Sequence, residues 1–525
     1  MTLSALRPLF ACLLTLALAW GCASTDDTER SPGSAIESPS GLASDSAPED
    51  APVAQWPQFR GAGGTASDTE ASIPDRFGPG QNVLWKQTTP AGHSSPAIWG
   101  DRMYLTGYEG ATLLVEARSR ADGSLVWRRE IDPAGGSEAF SHDHCCPAAP
   151  SPCTDGERVF AYFGGHGLIA YDADGTKLWE KHFPVEANMF GTGTSPVLDG
   201  DSVFLVRDVN GLSDVTSYDT ATGEERWSVP RPEANANYAT PFVWHRADRT
   251  ELIVPGSSVL KSYDARTGEV LWWVDDVCNF VCTSPTANED TLYFGSWATG
   301  NVGKGRRLAT AFDVTNEIPD EVLEDPEPFI AYFDKNGNGT IELDELPASR
   351  AKDAFEFLDF DQDGSWSLAE IQGFLEFEVA PGRNVMVAVR GGGKGNVTAT
   401  HVRWERTRGL PYVSSPLLYR DRIYLVRDGG LLTSVDASTG KPFIDRARLG
   451  VGGEYYASPV GAGDRILVAA ERGTLFVIAA GGEELDIVQK TDFGEGIYAT
   501  PAIVDDTVYL RTEGHLWAFR AGAAN

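Results

Sequence analysis

The sequence predicts an all-β protein, an eight-bladed β-propeller with a small α-helical insertion. Three observations lead to this prediction. A Ser-Pro or Thr-Pro dipeptide followed by an alternating apolar stretch recurs eight times, and the prolines of these copies lie 42 to 56 residues apart except for one interval of 131 residues. Tight Gly turns lead repeatedly into Trp-containing stretches. The single long interval changes from a strand-like to a helix-like pattern, which indicates an insertion within one repeat.

The dipeptide marks the start of each repeat unit. It is followed by a short polar turn and then by alternating apolar stretches, as in Val203-Phe204-Leu205-Val206. Four short antiparallel strands with their turns need about 40–45 residues, which is the size of one propeller blade. The eight copies are Ser95-Pro96, Ser151-Pro152, Ser195-Pro196, Thr240-Pro241, Ser284-Pro285, Ser415-Pro416, Ser458-Pro459 and Thr500-Pro501.

A Gly turn precedes the last strand of most units. Gly supplies the positive φ that a tight hairpin needs, and a Trp on the outer strand can fill the widening wedge between blades. Four turns lead to Trp127, Trp179, Trp227 and Trp272, whereas Ser438-Thr439-Gly440 leads to Phe443-Ile444.

The eighth unit stops at Trp517-Ala518-Phe519, which is too early for a fourth strand. We expect Asn82-Val83-Leu84-Trp85-Lys86 to supply it, because closing the ring with an N-terminal strand removes a free sheet edge. An open array or a seven-bladed array is the alternative.

The long interval contains two twelve-residue acidic loops with the ligand spacing of calcium sites. Calcium takes six to eight oxygen ligands, and the loops carry no thiolate or imidazole that would favour zinc. We therefore expect two calcium ions, and we expect Ile341 and Trp366 to pair in a short β-bridge between the loops. The expected ligands are Asp334, Asn336, Asn338, the Thr340 carbonyl and Glu345 in the first loop, and Asp359, Asp361, Asp363, the Ser365 carbonyl and Glu370 in the second.

The first 21 residues have the pattern of an export signal. Arg7 precedes an apolar run from Leu9 to Trp20 that is too short to span a bilayer. Gly21-Cys22 predicts cleavage before Cys22 and lipidation of its thiol, with cleavage after Ala19 as the alternative. The following stretch is rich in Ser, Asp, Glu, Pro and Ala and is expected to be a flexible tether. This layout predicts a periplasmic or outer-membrane-anchored lipoprotein.

These signals divide the chain into five parts. The predicted parts are a signal peptide (1–21), a disordered tether (22–75), the first part of the propeller (76–317), the inserted loop pair (318–380) and the second part of the propeller (381–525). The formal net charge of −32 repels nucleic-acid phosphates and anionic lipids. We therefore expect no nucleic-acid partner, a membrane contact only through the lipid anchor, and a monomer.

Five cysteines follow Cys22, and in an exported protein disulfides are permitted. Cys278 and Cys282 are close enough in sequence to pair. His142, His144, Cys145, Cys146 and Cys153 could bind zinc or copper, although a long loop with disulfides is the simpler interpretation. The run Gly391 to Gly395 lacks the spacing of a phosphate-binding loop and is interpreted as a loop.

The repeats resemble the pyrroloquinoline-quinone-type propeller repeat, a family that includes quinoprotein alcohol dehydrogenases and the outer-membrane assembly lipoprotein BamB. Residues 82–525 outside the insertion carry the resemblance. The segment Trp56-Pro57-Gln58-Phe59-Arg60-Gly61 resembles the N-terminal signature of exported bacterial members. The loop pair resembles compact bacterial EF-hand domains. The resemblance implies an eight-bladed ring without implying one function.

Two functions follow from these patterns. The first is a non-enzymatic calcium-binding scaffold at the cell envelope, with an envelope protein or peptide as partner and no catalytic residues. The second is a pyrroloquinoline-quinone-dependent dehydrogenase. The adjacent Cys145-Cys146 favours it, because some quinoprotein dehydrogenases carry a vicinal disulfide in a similar place. The family's pattern of an Asp base and a Glu/Asn set for catalytic calcium is not recognisable in the sequence.

Overall fold

Eight antiparallel sheets of four blade strands each follow one another around a common axis in the computed structural model. The structure describes residues 53–133, 145–184, 190–209, 213–234, 237–298 and 382–523, and within the insert 319, 322, 325–349, 352, 355, 359 and 363–372. Each sheet forms one blade, and the innermost strands of neighbouring blades touch. The eight-bladed β-propeller is therefore confirmed.

The blades are numbered in chain order, and their strands are given from the inner to the outer edge. Blades 1 to 4 contain Ala97–Trp99, Arg102–Glu109, Thr112–Ser119 and Leu125–Ile131; Cys153–Thr154, Arg158–Phe163, Gly167–Asp172 and Lys177–His182; Val197–Asp199, Ser202–Arg207, Asp214–Asp219 and Glu225–Pro230; Phe242–His245, Thr250–Gly256, Val259–Asp264 and Val270–Asp275. Blades 5 to 8 contain Thr286–Ala287, Thr291–Ser296, Val385–Arg390 and Val402–Arg406; Leu417–Tyr419, Arg422–Arg427, Leu431–Asp436 and Pro442–Arg448; Val460–Ala462, Arg465–Ala469, Thr474–Ala479 and Ile487–Asp492; Ala502–Val504, Thr507–Arg511, His515–Phe519 and Val83–Thr88.

The outer strand of blade 8 comes from the start of the ring. Val83–Thr88 pairs antiparallel with His515–Phe519, so the predicted closing strand is confirmed. This strand also reaches the next blade, because Trp85 Nε1 donates a hydrogen bond of 3.1 Å to the Arg120 carbonyl of blade 1. The chain segment that precedes blade 1 thus completes blade 8 by backbone pairing, and its Trp85 side chain contacts blade 1.

The Ser/Thr-Pro hydroxyls form a nearly closed circle of hydrogen bonds around the axis. At seven of the eight joints, the backbone N–H of one dipeptide donates to the hydroxyl of the next at 2.9–3.1 Å. The last of these joins Thr500 back to Ser95. At the remaining joint, between blades 4 and 5, the Ser284 hydroxyl is buried and has no hydrogen-bond partner among the described residues. The small hydroxyl residue of the repeated dipeptide therefore connects adjacent blades.

The outer Trp residues fill the gaps between blades, as expected. Trp127 of blade 1 donates to the Ala173 carbonyl of blade 2 at 2.8 Å and lies against Gly175, where an added Cβ would come within 2.7 Å of the indole. Equivalent contacts occur for Trp85, Trp179, Trp227 and Trp404. Trp272 differs, because its Nε1 donates to the Glu251 carboxylate within its own blade. The turn of the following blade is replaced there by a longer connection that contains Gly395–Asn396 and the helix Thr398–His401.

Residues 53–75 belong to the ring, so the predicted extent of the tether is wrong for this part. Gln55–Trp56 adds to blade 1, the 3-10 turn Ala62–Gly64 follows, and Ser67–Asp68 pairs in parallel with the inner strand of blade 7. The stretch contains few large apolar residues, but Trp56 and Ile73 are buried in the core by strands distant in sequence. Trp56 is 3% exposed. We call residues 53–72 the axial segment.

The insertion lies between the second and third strands of blade 5. Its described elements are the helix Pro326–Phe333 and the short strands Ile341–Glu342 and Ser365–Trp366, which pair antiparallel. The predicted pairing of Ile341 with Trp366 is confirmed. No helix among the described residues is long and apolar enough to cross a membrane. The expected signal peptide, Cys22 and most of the expected tether lie outside the described residues.

Candidate functional site

A cavity of about 430 Å³ lies at the centre of the ring, where all eight joints converge. We call it the axial cavity. One position of every repeat contributes to its wall, namely the residue two places before each Ser or Thr of the dipeptide. These eight residues are His93, Ala149, Gly193, Tyr238, Cys282, Val413, Tyr456 and Tyr498. The cavity is therefore a direct product of the repeat.

Aromatic rings cover much of the cavity wall. Phe280 packs against Tyr238 at 5.1 Å between ring centroids and against Phe190 at 5.6 Å. On another part of the wall, His93 stacks on Tyr498 at 4.0 Å with an interplanar angle of 9°. Flat rings held in such packing offer a rigid surface for apolar or aromatic groups.

The axial segment contributes Phe59 to the cavity lining. Next to it, the Arg60 guanidinium is buried and donates to the backbone carbonyls of Pro285 at 3.1 Å and Pro416 at 2.5 Å. These prolines belong to the dipeptides of blades 5 and 6. Burial lowers the pKa of Arg60 to about 9. The axial segment is thus fixed to the inner edge of the ring.

Among the described residues that line the axial cavity, the charged side chain is a carboxylate. Glu454 lines the cavity and accepts a hydrogen bond from the Tyr456 hydroxyl. Burial, followed by this contact with Glu454, raises the pKa of Tyr456, so its hydroxyl stays protonated. Burial also raises the pKa of nearby Asp428 to about 6. No Lys or Arg occurs among the described residues that line the cavity.

Three of the cysteines singled out in the sequence lie at the cavity wall, namely Cys145, Cys146 and Cys282. The pairing of Cys278 with Cys282 is not formed, because Cys282 retains its thiol and the Cys278 sulfur lies 3.2 Å from the Phe280 carbonyl oxygen. Burial raises the pKa of Cys282, which makes it a neutral thiol.

Of the remaining members of the suggested His/Cys cluster, Cys153 does not line the cavity. Cys153 is buried in the inner strand of blade 2, where burial raises its pKa well above the ordinary value. His142 and His144 lie outside the described residues.

The first acidic loop of the insert is organised by its own oxygen atoms. Asp334 accepts hydrogen bonds from the backbone N–H groups of Gly337 and Gly339 at 2.6 and 2.8 Å. Asn336 and Asn338 each accept from the N–H two residues further on at 3.0 Å. The expected calcium ligands Asp334, Asn336 and Asn338 therefore lie along one tightly turned loop.

Glu345 closes this loop. Its carboxylate accepts from the backbone N–H groups of Lys335, Asn336 and Glu342 at 2.8 to 3.1 Å. Hydrogen bonding, chiefly from Glu342, lowers the pKa of Glu345 to about 2. The group is therefore ionised in neutral solution, as a cation ligand must be.

The second loop has the same local arrangement where it is described. Asp359 accepts from the backbone N–H groups of Asp363 and Gly364 at 3.0 and 2.9 Å, and Glu370 accepts from that of Ser367 at 2.7 Å. Asp361 lies outside the described residues. The β-bridge of Ile341 and Trp366 connects the two loops, and both residues are fully buried.

Sequence reasoning identified these loops but missed the axial cavity. Its wall position holds eight residues of very different type, so no motif marks it. The available signal was positional, since the fixed offset from each Ser/Thr-Pro dipeptide places every wall residue at the same point of its blade.

Residues 75–303 match the family model described as outer membrane protein assembly factor BamB. The curated protein of that name from Burkholderia pseudomallei (strain K96243) is 24% identical over 180 residues, which are 34% of this chain and 41% of the relative. The match thus spans less than half of that relative's length.

Among solved structures, BamB from Moraxella catarrhalis superposes with a TM-score of 0.51 at 12% identity, covering 83% of this chain and 99% of that one. A quinohemoprotein alcohol dehydrogenase from Comamonas testosteroni gives a TM-score of 0.48 at 14% identity, with 90% and 81% coverage. The family-model match and the BamB structure, together with the strand order, identify the fold as a β-propeller of the pyrroloquinoline-quinone-like type.

Proposed function

We propose that this chain is an exported binding scaffold of the cell envelope. The axial cavity takes an uncharged apolar or aromatic group, supplied by a small ligand or by a segment of a partner protein. The observation that carries this proposal is the aromatic wall without a Lys or Arg among its described residues. Apolar concave sites with a few polar groups are the usual binding sites of proteins. The relative's name, an outer membrane protein assembly factor, supports an envelope role with a protein partner.

Filling the axial cavity is expected to abolish ligand binding. Ala149 lines the cavity, so Ala149→Trp places an indole in space that a ligand would occupy. The neutral fluorescent probe N-phenylnaphthylamine is expected to bind the wild-type chain and to bind the variant at least tenfold more weakly, a loss of about 1.4 kcal/mol. Leu178→Trp, on the exposed face of blade 2, is the matched control and should bind like wild type. Equal binding by wild type and Ala149→Trp would contradict the proposal.

A quinone-dependent dehydrogenase is the second candidate, and the position of Cys145-Cys146 at the cavity wall favours it. The cavity chemistry fits the cofactor poorly. Pyrroloquinoline quinone is a tricarboxylic acid, and a buried carboxylate needs a cation or several hydrogen-bond donors. Incubation with the quinone and calcium distinguishes the two functions. A scaffold shows no bound quinone spectrum and no oxidation of alcohols or sugars, whereas a dehydrogenase shows both.

We also propose that the insert is a compact EF-hand pair that binds two calcium ions. Its ligands would be the side-chain oxygens of Asp334, Asn336, Asn338 and Glu345 with the Thr340 carbonyl, and Asp359, Asp361, Asp363 and Glu370 with the Ser365 carbonyl. All are oxygen donors, which suits calcium. The described donors lie on turns already held by backbone N–H groups, so ion binding requires little rearrangement. Calcium would stiffen the two loops around the Ile341–Trp366 bridge.

Removing one carboxylate from each loop is expected to eliminate calcium binding. Calorimetry should detect two calcium equivalents on the wild-type chain, one on Glu345→Gln or Glu370→Gln, and none on the double variant at millimolar calcium. Glu327→Gln, on the exposed face of the helix before the first loop, is the control and should retain both equivalents. A wild-type chain that takes up no calcium would contradict this assignment.

A further inference from the structure

One group of metal-binding side chains lies outside both the axial cavity and the insert. His166, Glu180 and His182 of blade 2 bring one ligand atom each to within 4.8 Å of one another. The Nε2 atoms of the two histidines lie 3.6 Å from the two different carboxylate oxygens of Glu180. Their imidazole rings are 4.7 Å apart between centroids.

The local fold explains why these three residues meet. Glu180 and His182 are two positions apart on the outer strand, so their side chains point to the same face of the blade. His166 occupies the preceding hairpin turn, and its neighbour Gly167 pairs directly with His182. A Cβ on Gly167 would lie 1.8 Å from the Lys181 carbonyl oxygen, so only Gly permits the turn to approach the outer strand this closely.

The burial of His166 is a second observation, besides the proximity of the three side chains, that points to a bound ligand. Its side chain is 6% exposed, and neither ring nitrogen has a hydrogen-bond partner in the described structure. A buried polar group without such a partner is costly unless something else satisfies it.

We propose that His166, Glu180 and His182 form a mononuclear site for a borderline divalent transition ion of the Zn²⁺ class. Two imidazole nitrogens and one carboxylate oxygen are a ligand set that zinc accepts. Tetrahedral zinc ligands at about 2.0–2.2 Å from the ion are about 3.4 Å apart. Each histidine Nε2 lies 3.6 Å from one oxygen of Glu180, which is close to this spacing. Because the two histidines face different oxygens, the carboxylate binds the ion through both oxygens or rotates slightly to present one to both histidines. A water molecule completes the coordination on the side of His182, which is about half exposed.

Lys177 opposes the ion and gives the proposal a sharp test. Its Nζ lies 2.9 Å from Glu180 Oε1, so it competes with a metal for that carboxylate. Removing this ammonium group while keeping a long apolar side chain should strengthen metal binding. A merely structural hydrogen-bond cluster has no such dependence on Lys177.

In the experiment, the full chain is titrated with Zn²⁺ in the presence of excess calcium, and calorimetry measures the binding. A second titration uses Co²⁺, and visible absorption measures the binding. The wild-type chain should bind one equivalent of zinc. Each of the variants His182→Ala, His166→Ala and Glu180→Gln should lower the zinc affinity at least tenfold. Lys177→Met should bind zinc more tightly than wild type. The control His245→Ala removes an exposed histidine of blade 4 that lies 3.4 Å from the Asp199 carboxylate of blade 3. This variant should have the zinc affinity of wild type.

The His182 and Glu180 side chains are partly exposed, whereas His166 is buried. We therefore expect the His182→Ala and Glu180→Gln variants to fold even if the His166→Ala variant does not. The proposal fails if wild type and His182→Ala give the same zinc stoichiometry and affinity, or if Lys177→Met binds zinc no better than wild type. Loss of the Co²⁺ absorption in His182→Ala, but not in His245→Ala, would support it.

Discussion

Replacing Arg231 with Met is expected to destabilise the ring by about 3–5 kcal/mol, because it leaves the Asp208 carboxylate buried without its cation. The two side chains are 0% and 1% exposed, and Arg231 meets both carboxylate oxygens at 2.8 and 3.0 Å. The guanidinium also donates to the Tyr263 hydroxyl at 2.9 Å and the Pro255 carbonyl at 3.1 Å, both in blade 4. The pair therefore fixes the joint between blades 3 and 4.

This joint continues into the wall of the axial cavity. Asn237 donates to Asp208 at 3.3 Å, and its carbonyl oxygen accepts from the Val281 N–H at 3.1 Å. The adjacent Tyr238 N–H donates to the Val281 carbonyl at 2.8 Å. We therefore expect Arg231→Met to weaken binding of the neutral probe as well as to lower stability.

Urea unfolding followed by circular dichroism measures the effect. The double variant Arg231→Met/Asp208→Leu should recover much of the lost stability, because replacing a buried ion pair by apolar groups is often neutral. Arg102→Met, which removes an exposed pair with Asp101, is the control and should change stability by less than about 1 kcal/mol. Stability of Arg231→Met within about 1 kcal/mol of wild type would show that the pair is not a major determinant of this joint.

The sequence was sufficient to predict the ring because each blade is a local unit. The Ser/Thr-Pro spacing, the Gly turns and the early end after Phe519 depend on residues within about one blade length of each other. The number of blades and the pairing of Ile341 with Trp366 followed from such short-range rules. The closing strand, which pairs with a distant part of the chain, followed from the strand that the eighth repeat lacks. The predicted calcium sites depend equally on local spacing, but ion binding itself is a matter for titration.

The features that sequence reasoning missed depend on contacts between distant residues. The axial segment was assigned to the tether because its composition is polar, but Arg60 is held by carbonyls 225 and 356 residues away. His166 and His182 become neighbours only once the hairpin register of blade 2 is known. The axial cavity requires that all eight repeats be placed around one axis. Each of these depends on tertiary geometry that composition does not encode.

Removing the closing strand is expected to have the other large effect, because it opens the ring. A chain that starts at Ile73 lacks the axial segment but keeps Val83–Thr88, whereas a chain that starts at Thr89 lacks both. The first should fold as a monomer with lower stability. The second loses the burial of Trp85, which alone is worth about 3–5 kcal/mol by analogy with Trp→Ala substitutions. It also leaves His515–Phe519 as an unpaired edge, and such edges associate with other chains.

Light scattering after size-exclusion chromatography and thermal unfolding distinguish the two truncated chains. We expect the chain from Thr89 to form aggregates or edge-paired dimers and to unfold without a cooperative transition. A synthetic peptide covering residues 80–90 should restore a monomer by supplying the missing strand, whereas the same peptide with Trp85→Ala should do so poorly, because it lacks the indole that contacts Arg120 of blade 1. A monomeric, cooperatively unfolding chain from Thr89 without peptide would mean that the seven complete blades and the inter-blade hydrogen bonds maintain the ring without its closing strand.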